Sequence, residues 1–377
     1  MSKIYDAFDY AIESGNIELF DLLAKEFDKL NQSEKNILLE KVVINSPDIE
    51  LVKHIFDYGF DINYQNSDKN TLLHFAAVSS YPETVRFFLD KGLDIEARNE
   101  WEATPLLAAA KESDNPEVLK ELIRSGADIH AKSYGGITLL LTASAFNSNP
   151  EIIKYILSLG FDIEETDDDG ITPLLAASLW NSETDVMSYL VDCGANIRAK
   201  TNKGENLLHY AAFNRSPDVA RYILPSFTTS AVDNSGESAI EKVLSYGKSP
   251  DVAELFLRKM KEEHILYACV NENPQILETL FKFGYDSNLS DSDGMTIMMM
   301  AAKVNRNPDV IRMLRYYRVN WDTRDRDGRN VLHYAASNSD PAIYDWMTGD
   351  EDFKKLASEK DSSGHTPDYY REHPAEF

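Results

Sequence analysis

A short run of residues returns along this chain at intervals of 33 or 34, and that spacing limits what it can fold into. The run reads TLLHFAA from Thr71, TPLLAAA from Thr104, TLLLTAS from Thr138, TPLLAAS from Thr172, NLLHYAA from Asn206, TIMMMAA from Thr296 and NVLHYAA from Asn330. The one long gap, 90 residues after Asn206, divides at SAIEKVL (Ser238) and EHILYAC (Glu263) into steps of 32, 25 and 33. Weaker copies start at Asn36 and Thr366. Such a period over most of a chain marks a repeat array, in which a unit buries its apolar face only against its neighbours. The length of 377 residues would otherwise suggest two or three separate domains.

Each unit reads alike. A turn such as Asp167-Asp168-Asp169-Gly170 comes first, with an aspartate able to bond the backbone ahead of it and a glycine able to take positive φ. Thr or Asn then caps a short helix, with Pro105 or Pro173 at its first position. Alanine pairs let neighbouring helices approach closely. A second proline (Pro47, Pro82, Pro116, Pro150, Pro217, Pro250, Pro274, Pro308, Pro341) starts an amphipathic helix. Many of these helices end at a glycine such as Gly126 or Gly160. An extended arm follows, with Ile95, Ile129 or Ile163 expected to be buried. Lys69 and Glu102 stand where the turn glycine belongs, so those two tips are expected to differ. Arg318 replaces a helix-ending glycine, and Trp321 an arm isoleucine.

These residues, from about 36 to 370, resemble the ankyrin repeat, and the Trp-x-x-Leu-Gly-x-x-Tyr signature of the tetratricopeptide repeat is absent. The resemblance implies an all-α repeat solenoid, stacked ankyrin helix pairs with hairpin-loop tips. The expected organisation is an N-terminal capping helix pair over 1–35 and a first stack of repeats over 36–258. A second stack over 259–365 and a half-repeat cap over 366–377 complete it. Between Pro250 and Glu263 too few residues remain for a hairpin, so an irregular junction is expected around Leu257 to His264.

Composition narrows the function. Sixty-three acids against 38 bases give a formal charge of −25, which repels nucleic acid and anionic lipid and favours a basic partner. One stretch opposes the trend: Lys303 to Arg329 holds eight basic side chains against four aspartates. No apolar run is long enough for a membrane helix, and Met1 to Tyr10 lacks the apolar core of a secretory signal. Cys193 and Cys269 suit a reducing compartment, so the expected location is cytoplasmic.

Motifs for chemistry are wanting. Gly247-Lys248-Ser249 lacks the earlier glycine of a phosphate loop. His74, His209 and His333 share one place in the repeat, where the ankyrin family uses histidine to brace the hairpin. Asp167 to Gly170 fails as a calcium loop because the twelfth position is Ala176. No catalytic residue, metal site or cofactor is expected, and the chain is read as no enzyme.

The best signal is the face of the first helix that turns away from the packed side. Positions four, seven and eight after each anchor place Phe75, Phe146, Leu179, Trp180, Tyr210, Phe213, Tyr246, Met300 and Tyr334 there. Trp101 joins them as a partner-binding candidate, and Asp168 and Asp169 flank the stripe at the tips, with Glu205 and Glu237. Interfaces are enriched in such aromatics. The expected function is a monomeric protein–protein interaction module whose concave groove binds a protein or peptide with a basic surface. An acidic inhibitor or immunity-type protein that neutralises a basic toxin or enzyme is the alternative.

Overall fold

The computed structural model describes residues 2–27, 30–227, 231–258 and 262–377. Among the described residues every regular element is a helix, and extended pairing is confined to isolated bridges such as Gln65 with Thr71 and Ser290 with Thr296. The all-α repeat architecture is therefore present. The chain forms two compact units, Met1–Asn202 and Lys203–Phe377.

In the first unit the inner helices Leu72–Val78, Pro105–Glu112, Leu139–Phe146 and Pro173–Trp180 stack in sequence. Each begins where a Thr side chain accepts a backbone N–H three residues on: Thr104 from Leu107, Thr138 from Leu141, Thr172 from Leu175. Such a cap satisfies one of the donors a helix start leaves open and contributes about 1 kcal/mol. The expected first anchor, Asn36, lies inside a helix instead. Gln32–Asn45 starts earlier because Asn31 and Glu34 form a reciprocal capping box. Ala109, Ala143 and Ala177 are fully buried between successive inner helices. Ahead of them all, Ser2–Glu13 and Ile17–Ala24 make a helix pair closed by the rings of Phe8, Phe20 and Phe27.

Outer helices start at the expected prolines from Pro82 onward, as in Pro116–Arg124 and Pro150–Ser158. At Pro47 the helix begins two residues later, at Ile49, where Asp48 supplies the cap. Ile95, Ile129 and Ile163 are half-buried rather than buried.

The tips differ from expectation at Lys69 and Glu102. Both residues adopt the glycine conformation, with φ of 60° and 57°, and close the same turn as Gly170, Lys69 N–H donating to Asn66 O and Glu102 N–H to Asn99 O. Arg318 does likewise at a helix end, with φ of 58°. A side chain in this left-handed region costs on the order of 1 kcal/mol. Lys69→Gly, Glu102→Gly and Arg318→Gly should each stabilise the chain by about 0.5–1 kcal/mol, read as a higher urea midpoint. An unchanged or lower midpoint for all three would show that the turns relieve the strain. Gly170, by contrast, has no such latitude, because a Cβ there would lie 2.7 Å from Asn202 Oδ1.

Two ladders of hydrogen bonds tie neighbouring repeats together. At the tips, Glu100 N–H donates to Asp68 O, Asp168 N–H to Gly135 O, and Asn202 N–H to Asp169 O, at 2.8–2.9 Å. At the far ends of the inner helices, a buried asparagine amide spans the gap. Asn147 Nδ2 donates to Ala110 O and Ser113 O, and Asn181 Nδ2 to Ser144 O and Asn147 O. Each Oδ1 accepts the backbone N–H two residues on, from Asn149 and Glu183. The amides are 3% and 4% exposed, so such bonds are costly to lose.

The second unit repeats this plan. Its inner elements are Leu207–Ala211, Ala239–Tyr246, Glu262–Val270, Ile297–Val304, Val331–Ala336 and Pro367–Glu372. Glu262–Val270 is a 3₁₀ helix and packs on both Ala239–Tyr246 and Ile297–Val304. The junction expected at Leu257 to His264 includes residues 259–261, which lie outside the described residues. The preceding outer helix ends at Leu257. The asparagine ladder continues at Asn271, Asn305 and Asn338.

Candidate functional site

In the first unit the inner helices line a groove of about 690 Å³ whose walls include Phe75, Val78, Trp101, Leu107, Ala108 and Phe146. Trp101 comes from a tip, beside the turn closed by Glu102, and is 55% exposed. Phe146 and Trp180 sit at the last positions of their helices and remain 46% and 45% exposed. Their rings meet at 5.8 Å, and the Lys111 ammonium lies 5.7 Å over Phe146. Leu179 and Phe75 are half-buried. Five of the expected contact residues therefore present apolar surface within one unit. Two aromatic side chains in tilted contact at helix ends support little of the interior, which rests on Leu140, Leu174 and the alanines.

The second unit separates its candidates. Tyr246 is 53% exposed and stacks on half-buried Phe213 at 6.5 Å. Met300 is half-buried. Tyr210 and Tyr334 are buried, at 8% and 5% exposure, and Tyr334 donates its hydroxyl to Asp325 Oδ2 at 2.7 Å. Burial and that bond push the Tyr334 phenol well above its usual range. Tyr334 at position four thus lies beneath the tip, where its hydroxyl reaches a turn carboxylate, while Tyr246 at position eight stands clear.

The tip acids have three fates. Asp167, Asp233, Asp291 and Asp325 each accept two backbone N–H bonds across their own turn. Asp168 and Asp169 are exposed. Glu205 and Glu237, expected to be free at the rim, instead face a buried lysine. Lys242 Nζ lies 2.6 Å from Glu205, 2.8 Å from Asp233 and 3.8 Å from Glu237, and the residue is 7% exposed. Burial opposes its charge, but the bonds to Asp233 and Glu205 outweigh that and hold its pKa above the ordinary value.

Much of the basic stretch is also paired internally. Arg312 pairs with Asp309, Arg315 with Asp350 and Asp352, Arg324 with Glu359, and Arg329 with Asp327. Arg312 and Arg315 additionally lie over Trp346 and Phe353. Asp350, Asp352 and Glu359, supplied from outside the stretch, offset part of its excess charge.

The three histidines brace the turn of the following repeat. Their Nδ1 atoms accept the N–H of Thr71, Asn206 and Asn330, which leaves Nε2 to donate to Ala103 O, Glu237 O and His365 O at 3.0–3.2 Å. Burial lowers all three pKa values from 6.5. A lowered pKa means that the unfolded chain binds the extra proton, so this contribution is full above about pH 6.5 and is lost as pH falls below it. Stability should therefore decline between pH 7 and pH 5.5, with His209→Gln making the slope shallower by up to about 1.4 kcal/mol per pH unit. An unchanged slope in urea melts would show His209 to titrate alike in both states. Cys269 is fully buried, and burial pushes its thiol well up, so it is no nucleophile at neutral pH.

A family model described as ankyrin repeats, three copies, matches residues 39–133, 139–234 and 265–357. Serine/threonine-protein kinase 12 of Arabidopsis thaliana is 36% identical over 65 residues, 17% of this chain and 14% of that protein. Palmitoyltransferase Hip14 of Drosophila melanogaster is 37% identical over 65 residues, 17% of this chain and 10% of its own. A fowlpox virus protein named for its ankyrin repeats is 28% identical over 107 residues, 28% of this chain and 18% of its own. The chain spans less than a fifth of the length of each of these relatives.

Proposed function

We propose that this chain, which belongs to the ankyrin-repeat family, captures a protein or peptide with a basic surface on the groove face of its first unit. Ankyrin repeats mediate protein–protein interaction. The observation that carries it is the exposed Phe146–Trp180 pair at the end of a groove also walled by Phe75 and Trp101. Large rigid rings that shed water on contact dominate interface energies. The charge of −25 and the exposed Asp168 and Asp169 favour a basic partner and speed its approach. The module acts without cofactor or chemistry of its own, as a cytoplasmic monomer.

A partner recovered from the host by pull-down provides the test. Trp180→Ala should weaken its binding at least ~10-fold, the lower range for an interface hot spot, and leave the melting temperature near wild type. Replacing Asp168 and Asp169 with Asn should slow association and flatten its salt dependence. A destabilised Trp180→Ala that binds like wild type would overturn the reading.

A further inference from the structure

Lys303 and Arg329, two cations of the basic stretch, flank Tyr334 in the second unit, and there the chain supplies an occupant of its own. After the helix Pro367–Glu372 the backbone turns through Pro374–Glu376 and lays Phe377 against this spot. The Phe377 ring stands edge-on to Tyr334 at 4.9 Å and to Tyr370 at 5.2 Å. The Arg329 guanidinium lies 4.5 Å and the Lys303 ammonium 4.9 Å from its centre. Lys303 also reaches to 5.9 Å from the Tyr334 ring.

This arrangement is selective for a ring. A π face attracts cations through its quadrupole, whereas an aliphatic side chain offers two converging charges nothing. Arg329 Nε is buried and has no hydrogen-bond partner among the described residues, so nearby aromatic faces are part of what compensates it. Lys303 is exposed. The occupying segment also carries Glu376, whose carboxylate accepts from the Tyr369 hydroxyl. Arg329 is already answered by Asp327 and Tyr334 by Asp325, so what the site selects is the ring itself, in contrast to the basic partner proposed for the first unit.

We propose that Lys303, Arg329 and Tyr334 form a docking site for an aromatic side chain, filled in cis by Phe377 and open to exchange with a phenylalanine of a partner peptide. The site is independent of the first-unit groove, and either can fail without the other.

The test uses a synthetic peptide of residues 373–377, titrated by NMR into three hosts: the full chain, the chain cut after Glu372, and full-length Phe377→Ala. The last keeps the site testable if the cut chain does not fold. The two opened hosts should show saturable shifts around Ile297–Val304 and Val331–Ala336. Because a tethered segment competes at roughly millimolar effective concentration, the full chain should need at least ~10-fold more peptide. Adding Lys303→Ser to Phe377→Ala should weaken binding, as should alanine in place of the peptide's phenylalanine. No saturable shift in either opened host, equal binding to all three, or indifference to the phenylalanine would each overturn the proposal and leave the segment a structural cap.

Discussion

Lys242→Ala should destabilise the chain by about 3–5 kcal/mol, the range for removing one partner of a buried ion pair. The lysine occupies the inner-helix position that holds a tyrosine at Tyr210 and Tyr334, yet it is bent under the tip among Glu205, Asp233 and Glu237. Its removal leaves these carboxylates facing one another with no cation between them. Like charges raise each other's pKa, so the deficit should shrink as pH falls and the carboxyls protonate. In the intact chain Asp233 is held below its usual range: burial alone would raise it, but the Lys242 bond and backbone N–H groups prevail. Urea melts at pH 7.5 and pH 4.5 would measure both effects. The variant with Glu205→Gln added should recover part of the loss at pH 7.5. A deficit below about 1 kcal/mol, the scale of an exposed ion pair, would show the cluster to be hydrated.

Asn305→Ala should cost about 2–6 kcal/mol, since it leaves two buried carbonyls unpaired at roughly 1–3 each. Its amide donates to Cys269 O at 2.8 Å and Asn271 O at 2.9 Å while its Oδ1 accepts from Asn307 N–H at 2.8 Å. At 1% exposure water cannot replace those partners without opening the stack. Asn305→Asp provides the sharper comparison. It keeps the shape and the acceptor but turns two donated bonds into oxygen facing oxygen, and should be at least as damaging as alanine. Hydrogen exchange would locate the effect in Glu262–Val270 and Ile297–Val304. Wild-type stability for both variants would remove the ladder from any account of how the repeats hold together.

The repeat was legible because its signals are local. A Thr cap, a proline at N1 and a glycine at positive φ act through neighbours in sequence, and Thr104, Pro105 and Gly170 do what their positions announce. Lys69 and Glu102 mislead because the stack enforces the turn even where the side chain resists it. The asparagines also recur, nine residues after the anchor at Asn147, Asn181 and Asn305. Their meaning was hidden because the carbonyls they reach lie 34–37 residues back and come within range only on stacking. The candidate site divides in the same way. Residue choice pointed to Phe146 and Trp180, which stand exposed, but the burial of Tyr334 under its Asp325 bond and the Phe377 ring, and the loss of Glu205 and Glu237 from the rim to Lys242, depend on contacts made only on folding.

The asparagine rungs also make length a variable that this fold can change without redesign. Asn181 bonds the carbonyls 37 and 34 residues before it, and so does Asn147. If Thr138 to Ile171 were excised, Asn181 would find Ala110 O and Ser113 O at the same two distances along the chain. The join would place Thr172 directly after Ile137, as Thr138 is now. The groove would not survive unchanged, because Trp180 would meet Lys111 and Glu112 in place of Phe146. Duplication or loss of one unit can thus rewrite the face of the groove while the asparagine rungs behind it keep their bonds.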